Sequence, residues 1–339
     1  MFNNKVFIIA EAGVNHNGDI NLAYQLIDEA VRANVDCVKF QTFKAEKLVS
    51  STAKMADYQK ANLGKETSQF EMLKKLELTF EDFRQLQAYC VEKGILFLST
   101  PFDEESLDFL VDDLQIPYIK ISSGDLTNFP FLYQIAKKNK PIIISTGMAT
   151  MAEAEKSVAW LRQHTDSEIV VLHCTTNYPC PYDEVNLAAM LTMRDELGVT
   201  VGYSDHTLGD QIPVAAVALG ATMIEKHFTL DKTMEGPDHL ASMEPDELAA
   251  MVAKIRDIEV ALGHGKKIPN PSEEKIKDVV RKKIYPAVPL QAGDTITLEN
   301  ITFKRSSIGI PVDQVEQVVG KVTTKALSIE DAITTEVIV

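Results

Sequence analysis

Residues 199–228, VTVGYSDHTLGDQIPVAAVALGATMIEKHF, decide the reading of this chain. Two short apolar runs, VTVGYSDH (199–206) and TMIEKHF (222–228), have the length and β-branched content of buried strands, and a segment of helical character joins them. A strand, a helix and a second strand in that order form a parallel β/α unit. Both runs carry a histidine at or next to their last residue, His206 and His227, so the unit carries polar chemistry at one end of its strands. Upstream the same alternation recurs. VFIIAEAG (6–13), CVKFQTF (37–43), ILFLSTP (95–101), YIKISSG (118–124), PIIISTG (141–147) and EIVVLHC (168–174) bring the strand candidates to eight. Eight alternations predict an α/β fold closed as a (β/α)8 TIM barrel, although an open doubly wound sheet shares the pattern.

Two helices announce their ends. Thr79 with Asp82 resembles a capping box, Leu78 and Phe83 are placed to staple it, and Gly94 closes it. Pro245, Asp246 and Glu247 open another, with Leu248, Met251, Val252, Ile255, Ile258 and Leu262 as one apolar stripe before Gly263. The connection 44–80 is too long to be idle; a short helix near SQFEMLKKLEL and a role in covering substrate are expected of it. Past Gly263 the sequence turns polar. Strand-like pieces, KIYPAVPL and ITFKR, then flank the turn-like QAGD. The predicted organisation is a catalytic barrel over 1–264, a linker over 265–281 and a small β-rich domain over 282–339.

With 34 basic against 49 acidic residues the formal charge is −15, and no basic run stands out to follow a phosphate backbone, which argues against nucleic acid. The apolar run near the start is short and broken by Glu11, and no stretch approaches the ~18 apolar residues of a membrane span. A soluble, cytoplasmic protein is expected. Cys37, Cys90 and Cys174 lie in core-like runs, whereas Cys180, between two prolines, is the thiol expected to be reactive.

Nearly every strand candidate ends in polar residues. In chain order these are Glu11; Lys39 and Gln41; Ser99 and Thr100; Lys120, Ser122 and Ser123; Ser145 and Thr146; His173; Ser204, Asp205 and His206; Glu225 and His227. In a parallel barrel these ends converge on the mouth that holds the active site. Any one of them alone suits a capped strand end. The ring together favours a site, because burying so many unpartnered polar groups is costly. Lys39 and Lys120 lie in otherwise apolar strands, where a lysine either snorkels to the rim or meets an anion; with nearby hydroxyls they suit a phosphate and a carboxylate. His206 and His227, ending adjacent strands, suit Mn²⁺, Zn²⁺ or Fe²⁺ with open positions for Lewis-acid work on a carbonyl. Glu11 faces the same space and suits proton transfer. Asn15 and His16, on the first loop, suit local turn contacts.

The motifs IIAEAGVNHNGD, VKFQTF, FLSTPFD, ISTGMAT, LHCTTNYPCPY, GYSDHTLG and IEKHFTLDKTMEGPDHLASMEPDEL occur in order across the chain. Together they resemble the N-acetylneuraminate (sialic acid) synthase family, including its bacterial legionaminic acid relatives. The resemblance implies a barrel followed by an antifreeze-like (SAF) domain, assembled as a domain-swapped homodimer. It implies condensation of phosphoenolpyruvate with N-acetylmannosamine or a related N-acetylated amino sugar, giving a nine-carbon acid and phosphate. The resemblance further implies that water attacks C2 of the donor and that phosphate leaves by C–O cleavage. His206 and His227 match ligands of a divalent metal, usually Mn²⁺, with Mg²⁺ or Co²⁺ as alternatives; Glu11 matches an acid near the reacting aldehyde. Lys39, Thr100, Lys120, Ser122, Ser145, Tyr178 and Ser204 match the phosphoenolpyruvate pocket, Gln41 and Asp238 the sugar hydroxyls, and Arg305 an arginine reaching the sugar's N-acyl group from the partner subunit. Asp125 stands where many relatives carry Glu, KRSSIGIP replaces the usual KRPGNGI, and either Thr176 or Asn177 takes the donor-facing place. Two other readings compete: a phosphoenolpyruvate-dependent synthase for a phosphorylated sugar, and a sugar-binding regulatory module without chemistry.

Overall fold

The computed structural model describes residues 5–50, 53, 55 and 68–339. The chain divides into two compact units, Met1–Gly263 and His264–Val339. In the first, eight strands run in parallel: β1 (Phe7–Gly13), β2 (Cys37–Thr42), β3 (Leu96–Pro101), β4 (Ile119–Ile121), β5 (Ile142–Ser145), β6 (Ile169–Cys174), β7 (Thr200–Asp205) and β8 (Met223–His227). The hydrogen-bonded order is β3-β2-β1-β8-β7-β6-β5-β4, so the first strand is bonded to the last. β3 and β4 lie alongside each other, which makes the sheet a TIM-like barrel rather than an open doubly wound sheet. A parallel sheet covered by helices is buried on both faces, and the runs Ile142–Ile144 and Val170–Leu172 are accordingly fully enclosed.

Long helices follow most strands and bury one stripe each against the sheet. Ile20–Arg32 buries Ala23, Leu26, Ile27 and Ala30, with Asp19 as its N-cap. Phe80–Lys93 has the reciprocal capping box of Thr79 and Asp82 and ends at Gly94 in the left-handed conformation. Leu78 and Phe83 are both buried beside it, as the staple requires. Pro245–Leu262 buries Leu248, Met251, Val252 and Ile255, whereas Leu262 is exposed, so the apolar stripe ends a turn earlier than its spacing predicts. Of the connection 44–80, the described residues form Ala45–Leu48 and the capped helix Gln69–Leu76. Residues 51, 52, 54 and 56–67 of the expected covering segment lie outside the described residues.

In the second unit, the stretch expected as a linker carries a helix, Pro271–Val280, set up by a capping box between Asn270 and Glu273. β9 (Lys282–Pro286) and β10 (Ile301–Arg305) pair antiparallel. Isolated bridges such as Leu290↔Leu327 and Thr323↔Ile338 fold the rest around a core of Ile284, Leu290, Ile296, Ile310, Leu327 and Ile333. Among the described residues no helix is long and apolar enough to cross a membrane.

Gly202 shows how tightly β7 is seated. A Cβ there would stand 2.5 Å from the Met223 carbonyl oxygen and 2.6 Å from Leu172 Cδ2. Gly202→Ala is therefore expected to cost about 1–3 kcal/mol by overpacking, read as a shift in the denaturant midpoint with an unchanged slope. An unaltered midpoint would mean that the barrel wall yields there.

Candidate active site at the barrel mouth

At the C-terminal ends of the strands lies a cavity of about 370 Å³. Its wall includes Glu11, Lys39, Gln41, Thr100, Lys120 and Ser122, and, from later strands and loops, Ser145, Tyr178, Ser204, His206, His227 and Asp238. Register explains the convergence. Glu11 is the ladder partner of both Lys39 on β2 and His227 on β8, and Ser204 on β7 is the partner of Glu225 on β8. Since strand side chains alternate, residues two apart share a face, which sets Lys39 with Gln41, and Glu225 with His227, toward the mouth.

Both lysines are buried, which removes the snorkelling reading. Lys39 Nζ meets Glu11 Oε2 at 2.5 Å and donates to Thr100 Oγ1 at 2.9 Å. Lys120 Nζ donates to Ser145 Oγ at 2.8 Å. Glu225 lies between them, 3.6 Å from Lys39 and 3.5 Å from Lys120, and accepts from Ser204 Oγ at 3.0 Å. Burial alone would raise its pKa, but the two ammonium groups and Ser204 outweigh burial and hold it below the usual carboxylate range. Glu11 goes the other way. Burial dominates, Lys39 opposes it, and the nearby Glu225 charge adds to the rise, so its pKa stands above the ordinary value. Gln41 Nε2 donates to Glu11 Oε1 at 3.1 Å.

The two imidazoles lie with ring centroids 5.4 Å apart, and the Tyr178 ring packs 3.9 Å from His206. His206 Nδ1 is 2.6 Å from the Thr175 carbonyl oxygen. A carbonyl only accepts, so Nδ1 carries the proton that it donates; burial disfavours the charged ring, but Cys174 and this carbonyl outweigh it and hold the pKa above its ordinary value. His227 Nδ1 is buried without a hydrogen-bond partner, 4.0 Å from Asp238 Oδ2. Burial, with His206 and Lys39 nearby, keeps the His227 pKa well below that of a free imidazole, and burial raises Asp238 to about 6. Among the described residues no cluster of three His, Cys, Asp or Glu side chains has metal-ligand spacing. A buried, unsatisfied imidazole nitrogen beside a second imidazole nonetheless fits a divalent ion whose remaining positions are filled by solvent or substrate oxygen.

Several residues of the polar ring point elsewhere. Ser99 bonds Thr42, Thr146 bonds the Leu172 carbonyl, and His173 Nε2 bonds the Val185 carbonyl, all away from the cavity. Asp205 falls on the outer face of β7. Asp125 does not line the cavity; its carboxylate accepts from Ser122 Oγ and Asn128 Nδ2 and so braces the turn carrying Ser122. Arg305, on β10 in the second unit, is exposed, and its side chain has no ion pair or hydrogen bond among the described residues. His16 makes the expected turn contact with Gly18 N, whereas Asn15 instead ties the first loop to the eighth through the Phe228 carbonyl and Ser242.

The cysteine expectations reverse. Cys180 is buried and its thiol pKa is raised by burial, so it is not the reactive one. Cys174 lines the cavity, with Ser123 Oγ 3.5 Å away. Of the pair left open, Thr176 lines the cavity and Asn177 does not. Gly147 makes this approach possible, because a Cβ there would stand 2.1 Å from Thr176 Oγ1 and 2.9 Å from Ser123 Oγ. Glu225 and Ser123 were recognisable as strand-end polar groups, but only the fold assigns them partners. Part of the connection 44–80 does reach the site, through Leu48, Met72 and Leu76 on the cavity's apolar side.

Residues 26–267 match the NeuB family and residues 281–338 the SAF domain. The chain is 48% identical to the N,N'-diacetyllegionaminic acid synthase of Campylobacter jejuni, over 95% of this chain and 96% of that protein. It is 46% identical to the enzyme of the same name from Legionella pneumophila, over 95% of this chain and 91% of that one. The crystal structure of an N-acetylneuraminic acid (sialic acid) synthetase from Leptospira borgpetersenii in complex with citrate is 37% identical, with a TM-score of 0.71, covering 81% of this chain and 91% of that one. A match across most of the barrel, joined to likeness along nearly the full length of these relatives, means that the chain belongs to the NeuB family, with a SAF domain after its barrel.

Proposed function

We propose that the barrel mouth condenses phosphoenolpyruvate with an N-acetylated 2-amino sugar and water, giving a nine-carbon nonulosonic acid and phosphate. The observation that carries this reading is the placement of two buried lysines in the wall of the same cavity that holds a histidine pair. Lys39 and Lys120, with Thr100, Ser145 and Ser204, bind the donor's phosphate and carboxylate and orient its C3 toward the acceptor. Glu225 keeps the two ammonium groups apart from one another and charged. C3 of the donor bonds to the open-chain aldehyde carbon, water adds its oxygen at C2, and the C2–O bond to phosphate breaks. Glu11 lies where the aldehyde oxygen gains a proton, and Gln41 and Asp238 hold sugar hydroxyls. His206 and His227 would hold a divalent ion, Mn²⁺ by preference, which when bound acts as a Lewis acid on the aldehyde. The acidic balance and the biosynthetic family support a cytoplasmic enzyme.

Two legionaminic acid synthases among the relatives support a diacetylated 6-deoxy acceptor over N-acetylmannosamine itself. Phosphate release assayed with both sugars, using donor labelled with oxygen-18 at the bridging position, tests acceptor and bond cleavage together. Faster release with the diacetylated sugar and label in the phosphate are expected. Label in the sugar acid would exclude C–O cleavage, and inertness toward both sugars would exclude these acceptors, leaving a synthase for a phosphorylated sugar or a binding module.

The exposed, unpartnered Arg305 supports a role in trans within a swapped homodimer, contacting the acceptor's N-acyl group. Mixing Arg305→Ala with His206→Ala subunits, each inactive alone, is expected to restore one working site per heterodimer. Verified heterodimers without activity would mean that Arg305 serves its own barrel or none.

A further inference from the structure

The β7–β8 ladder has a final rung, Asp205 opposite Lys226, and each of these residues immediately precedes one of the two mouth histidines. Alternation turns His206 and His227 inward, and turns Asp205 and Lys226 toward the layer between sheet and helices. There the two side chains meet, with Lys226 Nζ 2.5 Å from Asp205 Oδ2 and relative exposures of 1% and 0%. The same ammonium donates to the Thr207 carbonyl. Thr207 in turn donates from its backbone nitrogen and its hydroxyl to the two Asp205 carboxylate oxygens, at 3.0 Å each.

His206 is thus bracketed by two residues that both bond to Lys226, and Lys226 is covalently followed by His227. No ladder rung joins the histidines themselves, since the register of this pair stops at Asp205↔Lys226. The ammonium supplies the cross-strand tie where the backbone ladder has run out. A buried ion pair is poor value as a stabiliser, because desolvation offsets most of its attraction and an apolar pair of the same size often does as well. Its effect here is directional. It fixes the distance between two backbones at the point where two imidazoles leave them, and residues behind metal ligands commonly set the ligands' orientation.

We propose that Lys226, with Asp205 and Thr207, is a positioning clamp that sets the spacing of His206 and His227 for a divalent cation. The inference rests on the reading of those histidines as the metal pair. None of the three clamp residues lines the cavity, so they act only through the histidines.

The test compares the wild type with the double variant Asp205→Asn/Lys226→Met, which removes both charges together and leaves Thr207 an acceptor at position 205. Lys226→Met alone leaves a buried carboxylate unpaired, which endangers folding, so the double variant carries the decision. Three quantities are read: Mn²⁺ affinity from the free-ion electron paramagnetic resonance signal, phosphoenolpyruvate affinity on metal-free protein by calorimetry, and the melting temperature by circular dichroism. In a folded double variant the Mn²⁺ dissociation constant is expected to rise about 10–100-fold, with phosphoenolpyruvate affinity unchanged. Unchanged Mn²⁺ affinity would overturn the clamp, and so would a parallel loss of both affinities, which marks general loosening. A wild type that binds no Mn²⁺ would overturn the metal reading itself, and the clamp with it.

Discussion

Replacing either mouth histidine with alanine is expected to lower turnover by about 10³-fold or more, since a Lewis acid at the aldehyde contributes several kcal/mol and each 1.4 kcal/mol is about tenfold. The structural cost is small by comparison. His206 surrenders its hydrogen bonds to the Thr175 carbonyl and to Cys174, each worth about 0.5–1.5 kcal/mol. His227 surrenders none from Nδ1, which has no partner. Chelation should produce the same loss in the unaltered protein and Mn²⁺ should reverse it. The comparison to make is phosphate release against melting temperature across wild type, His206→Ala and His227→Ala. Full activity in protein shown by elemental analysis to be metal-free would remove the metal from the mechanism.

Glu11→Gln is expected to lower kcat by about 10²–10⁴-fold, the usual contribution of a placed acid or base, while the KM for phosphoenolpyruvate changes much less. The split follows from the contacts. Glutamine keeps the size of the side chain but cannot carry the proton, and Lys39 loses its 2.5 Å carboxylate partner. Lys39 still has Thr100 and the Glu225 carboxylate, so the ammonium stays in place to hold the donor. Steady-state kinetics with both substrates varied would check it. A kcat within a few-fold of the wild type would leave Glu11 as no more than a counter-ion for Lys39.

Much of this was legible in the order of the residues. All eight barrel strands fall within the runs marked by β-branched apolar residues, because a strand buried on both faces has few other compositions available. The mouth was legible for the same reason: in VKFQTF and IEKHF a charge interrupts an apolar run, and only a partner at the strand end makes that tolerable. The direction of individual side chains was less so. Period two does separate Lys226 from His227 and Asp205 from His206, and applying it strictly would have removed Asp205 from the ring. Loops obey no such period. Nothing in SSGD says that Asp125 folds back on Ser122, nor in CTTNYP that Thr176 turns inward against Gly147. Arg305 is a third case, since the role proposed for it depends on a second subunit that no spacing within one chain describes.

The ladder between β1 and β8 has a consequence for synthesis of the protein. Glu11 lies on the first strand of the barrel and His227 on the last, yet they are ladder partners across a single seam. A nascent chain that has released β1 through β7 holds both lysines but lacks Glu225 and His227. Such a chain has two cations at an unfinished rim without the carboxylate that separates them, and an open strand edge on each side of the gap. Entry of β8 supplies Glu225, completes the histidine pair and seals the last open edge of β1 in one event. Loop closure over such a span is slow relative to local contacts, so catalytic competence should arrive as a single late step and not by degrees.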